Sequence, residues 1–93
     1  MSFVLICHDK PGSLELRMAT RPAHLDYVAG FKDQLIKAGP MLDPDGNLCG
    51  SLFLLDMPDR AAVQAFTDSD PYTKAGLFET AIIRGWKDVT STP

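Results

Sequence analysis

Phe3-Val4-Leu5-Ile6-Cys7-His8-Asp9-Lys10-Pro11-Gly12-Ser13-Leu14-Glu15-Leu16-Arg17, followed by Arg21-Pro22-Ala23-His24-Leu25, sets the first half of the fold. Phe3 to Cys7 is an unbroken apolar run of mostly strand-favouring residues, so 3–7 is expected to form a strand. His8, Asp9 and the Pro11-Gly12 breaker end it. Ser13 can cap a short helical turn over 13–18. Thr20 then caps a longer helix, with Pro22 in the first turn, where a missing N–H costs little. Leu25, Val28, Phe31, Leu35 and Ala38 follow at spacings of 3, 3, 4 and 3, one apolar stripe. The stripe predicts a helix running to about Ala38, stopped by Gly39 with Pro40 beyond. His24 falls at the edge of that stripe, near the N-terminal end of the helix, and Asp26, Lys32, Asp33 and Lys37 face outward.

Working outward, residues 40–43 read as a strand or turn, and Asp43-Pro44-Asp45-Gly46-Asn47 reads as a hairpin loop. Gly50-Ser51-Leu52-Phe53-Leu54-Leu55-Asp56-Met57 is a strong strand. Pro58-Asp59 opens a second helix over about 59–67, with Ala62, Val63 and Phe66 inside. An Asp70-Pro71-Tyr72 turn and a short turn through Ala75-Gly76-Leu77 lead to a last strand over about 79–88. The order β-α-β-β-α-β predicts an α+β domain: a four-stranded, largely antiparallel sheet with two helices on one face. A sheet with one wet face shows polar alternation, yet 3–7 and 52–55 are apolar on both faces. Two helices cover one face, so the other needs a cover. A second copy is the expected one, a homodimer packed sheet to sheet. The alternative is a monomer whose far face is covered by 68–78 and the C-terminus.

Ninety-three residues make one domain, expected over 1–93, and 45% hydrophobic content is that of a globular chain. A net charge of −3 and a pI near 5.1 argue against nucleic acid as partner. The apolar N-terminus is brief and lacks the marks of a signal peptide, and no apolar run approaches the length of a membrane helix. Two cysteines, Cys7 and Cys49, without metal-ligand spacing suit a reducing cytoplasm and the role of small hydrophobes. No phosphate loop or metal-ligand spacing appears, so no cofactor and no metal are expected.

His24 is the first chemical candidate, because imidazole both takes and gives a proton near neutral pH. Its plain structural role would be a backbone hydrogen bond at the core edge. Asp70 is the natural partner, since a carboxylate fixes the tautomer and orientation of a histidine. Asp before Pro is equally a common turn starter. Arg17 and Arg21 lie four apart and share a face on a continuous helix, where they can bind a substrate carboxylate. Arg17 also suits a salt bridge to Glu15, Asp9 or Asp70, whereas Arg21, three before His24, is the better anion holder. Asp9 ends the first strand and can orient His24 or pair with an arginine. Tyr72 and Ser51 complete the candidate lining, with Tyr27 and Trp86 as further amphipathic aromatics.

Asp9-Lys10-Pro11, Ser13-Leu14, Arg17, Arg21-Pro22-Ala23-His24, Ala38-Gly39-Pro40-Met41, Gly50-Ser51, Asp70-Pro71-Tyr72 and Ala75-Gly76, in this order, resemble the YciI-like (YCII-related) family. The chain departs in a short 42–49 segment and in Arg84-Gly85-Trp86, where the family commonly has Pro before the aromatic. The resemblance implies a ferredoxin-like dimeric α/β barrel with a cleft between helix and sheet, in which His24 and Asp70 match a candidate catalytic pair. The expected protein is a small cytoplasmic homodimer that binds a small anionic organic molecule. It would use His24 and Asp70 for acid/base chemistry, as a cofactor-independent lyase or isomerase, with Arg21, Arg17, Asp9, Tyr72 and Ser51 at the substrate. The alternative is a non-catalytic small-ligand-binding or accessory module.

Overall fold

A computed structural model describes residues 1–90, so positions 91–93 of the expected single domain lie outside the described residues. The chain runs β1 (Ser2–Asp9), α1 (Leu14–Ala29), β2 (Leu35–Leu42), β3 (Leu48–Asp56), α2 (Arg60–Ser69), the single turn α3 (Pro71–Lys74) and β4 (Phe78–Gly85). The strands form one sheet in the order β2-β3-β1-β4, with every neighbouring pair antiparallel. This is the ferredoxin-like α+β arrangement expected above, with both long helices on one face.

Period-two alternation decides what each strand buries. Phe3, Leu5 and Cys7 of β1, Ser51, Phe53 and Leu55 of β3 and Ile83 of β4 point to the helices and are buried. Val63 and Phe66 of α2 close over them, and Tyr27 and Val28 of α1 and Phe31 of the turn after it pack against the same cluster. Phe66 meets Phe31 and Phe53 edge-on, at ring separations of 4.8 and 5.6 Å, the geometry aromatic rings prefer. Asp59 caps α2 by accepting the Ala62 N–H at 2.9 Å.

The first helix departs from its expected limits at both ends. It is one helix from Leu14, not a short turn over 13–18 and a second helix capped by Thr20, and Pro22 lies in its interior. Pro22 has no N–H to return to Met18, but that loss did not break the helix. Its C-cap is Gly30, not Gly39. Glycine costs about 1 kcal/mol in a helix interior, while residues 35–42 pair with β3 along their length, with irregularities at Leu35/Lys37 and Met41/Leu42. Leu35 and Ala38, assigned above to the helical stripe, and Lys37, assigned to its outer face, therefore lie in β2, which replaces the strand or turn expected over 40–43. Smaller shifts occur elsewhere: β3 covers 48–56 rather than 50–57, α2 covers 60–69 rather than 59–67, and β4 covers 78–85 rather than 79–88. The helical turn of the 70s is Pro71–Lys74, ahead of the turn expected at 75–77.

The sheet's other face carries Val4, Ile6, Leu52, Leu54 and Ile82 in register, with Leu52 40% exposed. The 68–78 segment does not lie there, because Tyr72 packs against His24 and Phe78 on the helix side. Among the described residues no helix is long and apolar enough to cross a membrane.

Candidate active site

The β1–α1 turn positions the first half of the site. Gly12 adopts φ 70° there, a left-handed conformation that glycine takes without strain, and the chain turns from Asp9 into α1. Arg17 then points back at Asp9: Nε donates to Oδ2 at 2.7 Å and Nη2 to Oδ1 at 2.9 Å. Nη2 also donates to Ser51 Oγ on β3 at 2.8 Å. Both charged side chains are buried, and the paired fork is the strong form of such contacts. Burial works against the Arg17 charge, but the hydrogen bonds and field of Asp9 outweigh it and hold the guanidinium above its ordinary range.

Two turns further along the same face of α1 stands His24, buried at 8% exposure. Its Nδ1 lies 2.8 Å from Asp70 Oδ1, and that oxygen also accepts the Tyr72 N–H at 2.9 Å. Asp70 is thus the N-cap of α3 and the partner of His24 at once, the two roles weighed against each other above. The contact suits an Nδ1–H that donates to the carboxylate, the arrangement that leaves Nε2 as the acceptor nitrogen of the ring. Among the described residues the buried side-chain polar atom left without a partner is Thr73 Oγ1. The His24 ring is part of the cleft lining.

The ring of His24 lies on a cleft of about 480 Å³ between α1 and the β2–β3 side of the sheet. Arg17, Arg21, Ser51 and Tyr72 share its lining with apolar walls from Met18, Leu25, Val28, Ala38, Pro40 and Phe53. Among the described residues Arg21 makes no hydrogen bond and no ion pair, so its guanidinium is the available cation of the cleft. Tyr72 is almost fully buried; burial pushes its phenol up, the fields of Arg17 and Arg21 oppose this, and the net direction is upward. Cys7, beneath the site, has its thiol raised to about 12, first by burial and then by the Asp70 and Asp9 charges. Among the described residues no cluster of His, Cys, Asp and Glu could hold a metal ion.

The structure brings His24, Arg21, Arg17, Tyr72 and Ser51 to the lining of one cleft, with Asp70 and Asp9 joined to it as the partners of His24 and Arg17. Arg17 and Asp9 are engaged with each other, the salt bridge favoured above for Arg17. Tyr27 lies outside, its hydroxyl donated to the Phe66 carbonyl at 2.9 Å. Leu25 and Val28, taken from spacing as core stripe, line the cleft, and Phe53 meets the His24 ring edge-on at 5.9 Å. Nothing in an all-apolar strand singles out Phe53, whereas Ala38-Gly39-Pro40 carried a signal through the family pattern.

Fold and site together define a ferredoxin-like domain of the dimeric α/β barrel type with a cleft on one side of the sheet. The chain belongs to the YCII-related domain family, whose family model matches residues 1–87. It is 36% identical to Protein YciI of Escherichia coli O6:H1 (strain CFT073), over 96% of this chain and 99% of that one. It is 28% identical to an uncharacterized protein of Haemophilus influenzae, again over 96% and 99%. Among solved structures it is similar to the 5-chloro-2-hydroxyhydroquinone dehydrochlorinase of Burkholderia phenoliruptrix AC1100, in complex with 2,5-dihydroxybenzoquinone. That match has a TM-score of 0.89 at 34% identity and covers 94% of each chain. An antibiotic biosynthesis monooxygenase, at TM-score 0.55 and 14% identity over 95% of this chain and 97% of that one, shares the fold alone.

Proposed function

We propose that this protein is a small cofactor-independent enzyme that performs acid/base chemistry, proton transfer or elimination, on a small anionic organic molecule. The observation that carries the reading is the 2.8 Å contact of His24 Nδ1 with buried Asp70, on the wall of a cleft that also holds unpaired Arg21. Asp70 orients the ring and supports the imidazolium as it forms. Nε2 takes a proton from the substrate, and the electron pair left behind becomes a new double bond as a leaving group departs with its own pair. Arg21 holds the anionic oxygen on which charge is carried. Ser51 Oγ, which already accepts from Arg17, keeps its own O–H for a second substrate oxygen.

The apolar walls suit a flat ring, and the dehydrochlorinase similar to this chain acts on a chlorinated hydroxyhydroquinone. Hydroxylated, halogenated rings are therefore the substrates to try first. The free thiols Cys7 and Cys49 suit a reducing cytoplasm. The apolar outer sheet face suits a homodimer packed through that face, as in the dimeric α/β barrels.

The test is chloride release from 5-chloro-2-hydroxyhydroquinone and related hydroxylated chlorobenzenes by wild type and His24→Gln. Loss of turnover by a factor of about 10²–10⁴ is expected. A His24→Gln protein as active as wild type rules the reading out.

A further inference from the structure

Tyr72 is expected above as part of the cleft lining. Tyr72 is 1% exposed, and two side chains of α1 lie over its ring. The His24 ring lies 4.0 Å from the Tyr72 ring centroid and nearly parallel to it, at 17°. The Arg17 guanidinium carbon lies over the same ring at 4.8 Å from the centroid. Arg17 and His24 are seven residues apart on one helix, about 10.5 Å along its axis, and the Tyr72 ring fills the gap between them. Phe78 meets the ring edge-on at 5.8 Å. The order along α1 is thus cation, phenol, imidazole. The cation at one end is itself fixed by the two hydrogen bonds to Asp9 and the one to Ser51.

We propose that Tyr72, clamped by Arg17, is a positioning residue that holds the His24 ring at the angle where Nδ1 meets Asp70 and Nε2 meets the ligand. A histidine side chain turns about two bonds. The single contact to Asp70 fixes the position of Nδ1 but leaves the ring free to tilt about that contact. A parallel ring 4.0 Å away removes the tilt. The Asp9–Arg17–Ser51 network therefore serves the base through Tyr72. Arg21 remains as the cation that meets the ligand.

This inference rests on the proposed role of His24, but its test reads the order of the ring without turnover, so the two can fail separately. The Tyr72 backbone N–H still reaches Asp70 whatever side chain stands at 72, so the carboxylate stays held in the variants. Long-range 1H–15N spectra of the His24 ring would be compared in wild type, Tyr72→Phe, Tyr72→Leu and the double variant Asp9→Asn/Arg17→Gln. Tyr72→Phe keeps the plate and is expected to retain the wild-type ring shifts and slowly exchanging Nδ1–H. Tyr72→Leu is expected to exchange that proton faster by a factor of about three to ten, the worth of one aromatic pair, with shifts moved towards those of a mobile ring. The double variant keeps the Tyr72 side chain and leaves the buried pair neutral but removes the clamp from the Tyr72 ring, so it guards against misfolding of Tyr72→Leu; faster exchange than wild type is expected there too, because the unclamped ring no longer stops the tilt. Wild-type shifts and exchange in Tyr72→Leu, or in the double variant if Tyr72→Leu does not fold, would overturn the proposal.

Discussion

At the scale of single residues the site is built from shared atoms. One oxygen of Asp70 serves His24 and the Tyr72 N–H, so Asp70→Asn is expected to lower turnover rather than unfold the chain. An asparagine oxygen can still cap α3, but a neutral amide no longer supports an imidazolium. Kinetic comparison with His24→Gln checks this, and equal activity of Asp70→Asn and wild type would contradict it. Arg21→Gln removes the available cation and is expected to weaken binding of 2,5-dihydroxybenzoquinone by about 10- to 100-fold, the worth of a charged hydrogen bond. Titration of the quinone absorbance measures it. Cys7 gives a pH prediction. Its thiol is raised from 9.0 to about 12, so the folded state keeps a proton that the unfolded chain releases. That contribution is fully present below pH 9 and is lost as pH rises through 12, by up to about 1.4 kcal/mol per pH unit. Tm measured from pH 8 to 11 is expected to fall more steeply in wild type than in Cys7→Ala. His24, Asp70, Arg17 and Asp9 were legible as candidates through residue type and the family pattern together, because each residue type alone suits a turn, a cap or a salt bridge equally well. Phe53 was not legible, since an all-apolar strand does not declare which residue faces a cleft.

At the scale of elements β1, β3, β4 and α2 were legible to within a few residues, but α1 and β2 were not. The apolar spacing that starts in α1 holds through Phe31, which does pack on the core, and then continues by coincidence into a strand. The helix ends at its Gly30 cap, and long-range pairing with β3, which no local window contains, makes 35–42 a strand. The same strand β3 carries a sharp constraint. A side chain at Gly50 would run into the Cys7 carbonyl and the Met41 methyl. Gly50→Ala is therefore expected to destabilise the fold by about 1–3 kcal/mol, the range for overpacking. Urea denaturation measures it, and an unchanged midpoint would show that β1 and β3 can part there at no cost. A control on the opposite edge of the fold is Asp59→Ala, which removes the α2 cap and is expected to cost about 1 kcal/mol.

At the scale of the whole molecule the apolar outer face is the largest feature that one copy leaves unexplained. Its presence was legible in the sequence, because 3–7 and 52–55 never alternate, and the structure removes the 68–78 segment as its cover. The proposed dimer predicts that the protein sediments as two 10.2 kDa chains. Leu52 lies 40% exposed in the middle of that face, so a charge there meets solvent in the monomer and an apolar partner in the dimer. Leu52→Glu is expected to sediment as a folded monomer. Wild-type protein that sediments as a monomer at tens of micromolar would contradict the dimer while leaving the cleft untouched.

The central claim is that Asp70 holds the His24 proton on Nδ1 and leaves Nε2 bare for chemistry. The 15N shifts of the His24 ring above its titration, in wild type and in Asp70→Asn, test it most directly. The account predicts a protonated Nδ1 and an unprotonated Nε2 in wild type, with the preference weakened or lost in Asp70→Asn. A proton on Nε2 in wild type, or the same ring shifts in both proteins, would contradict it.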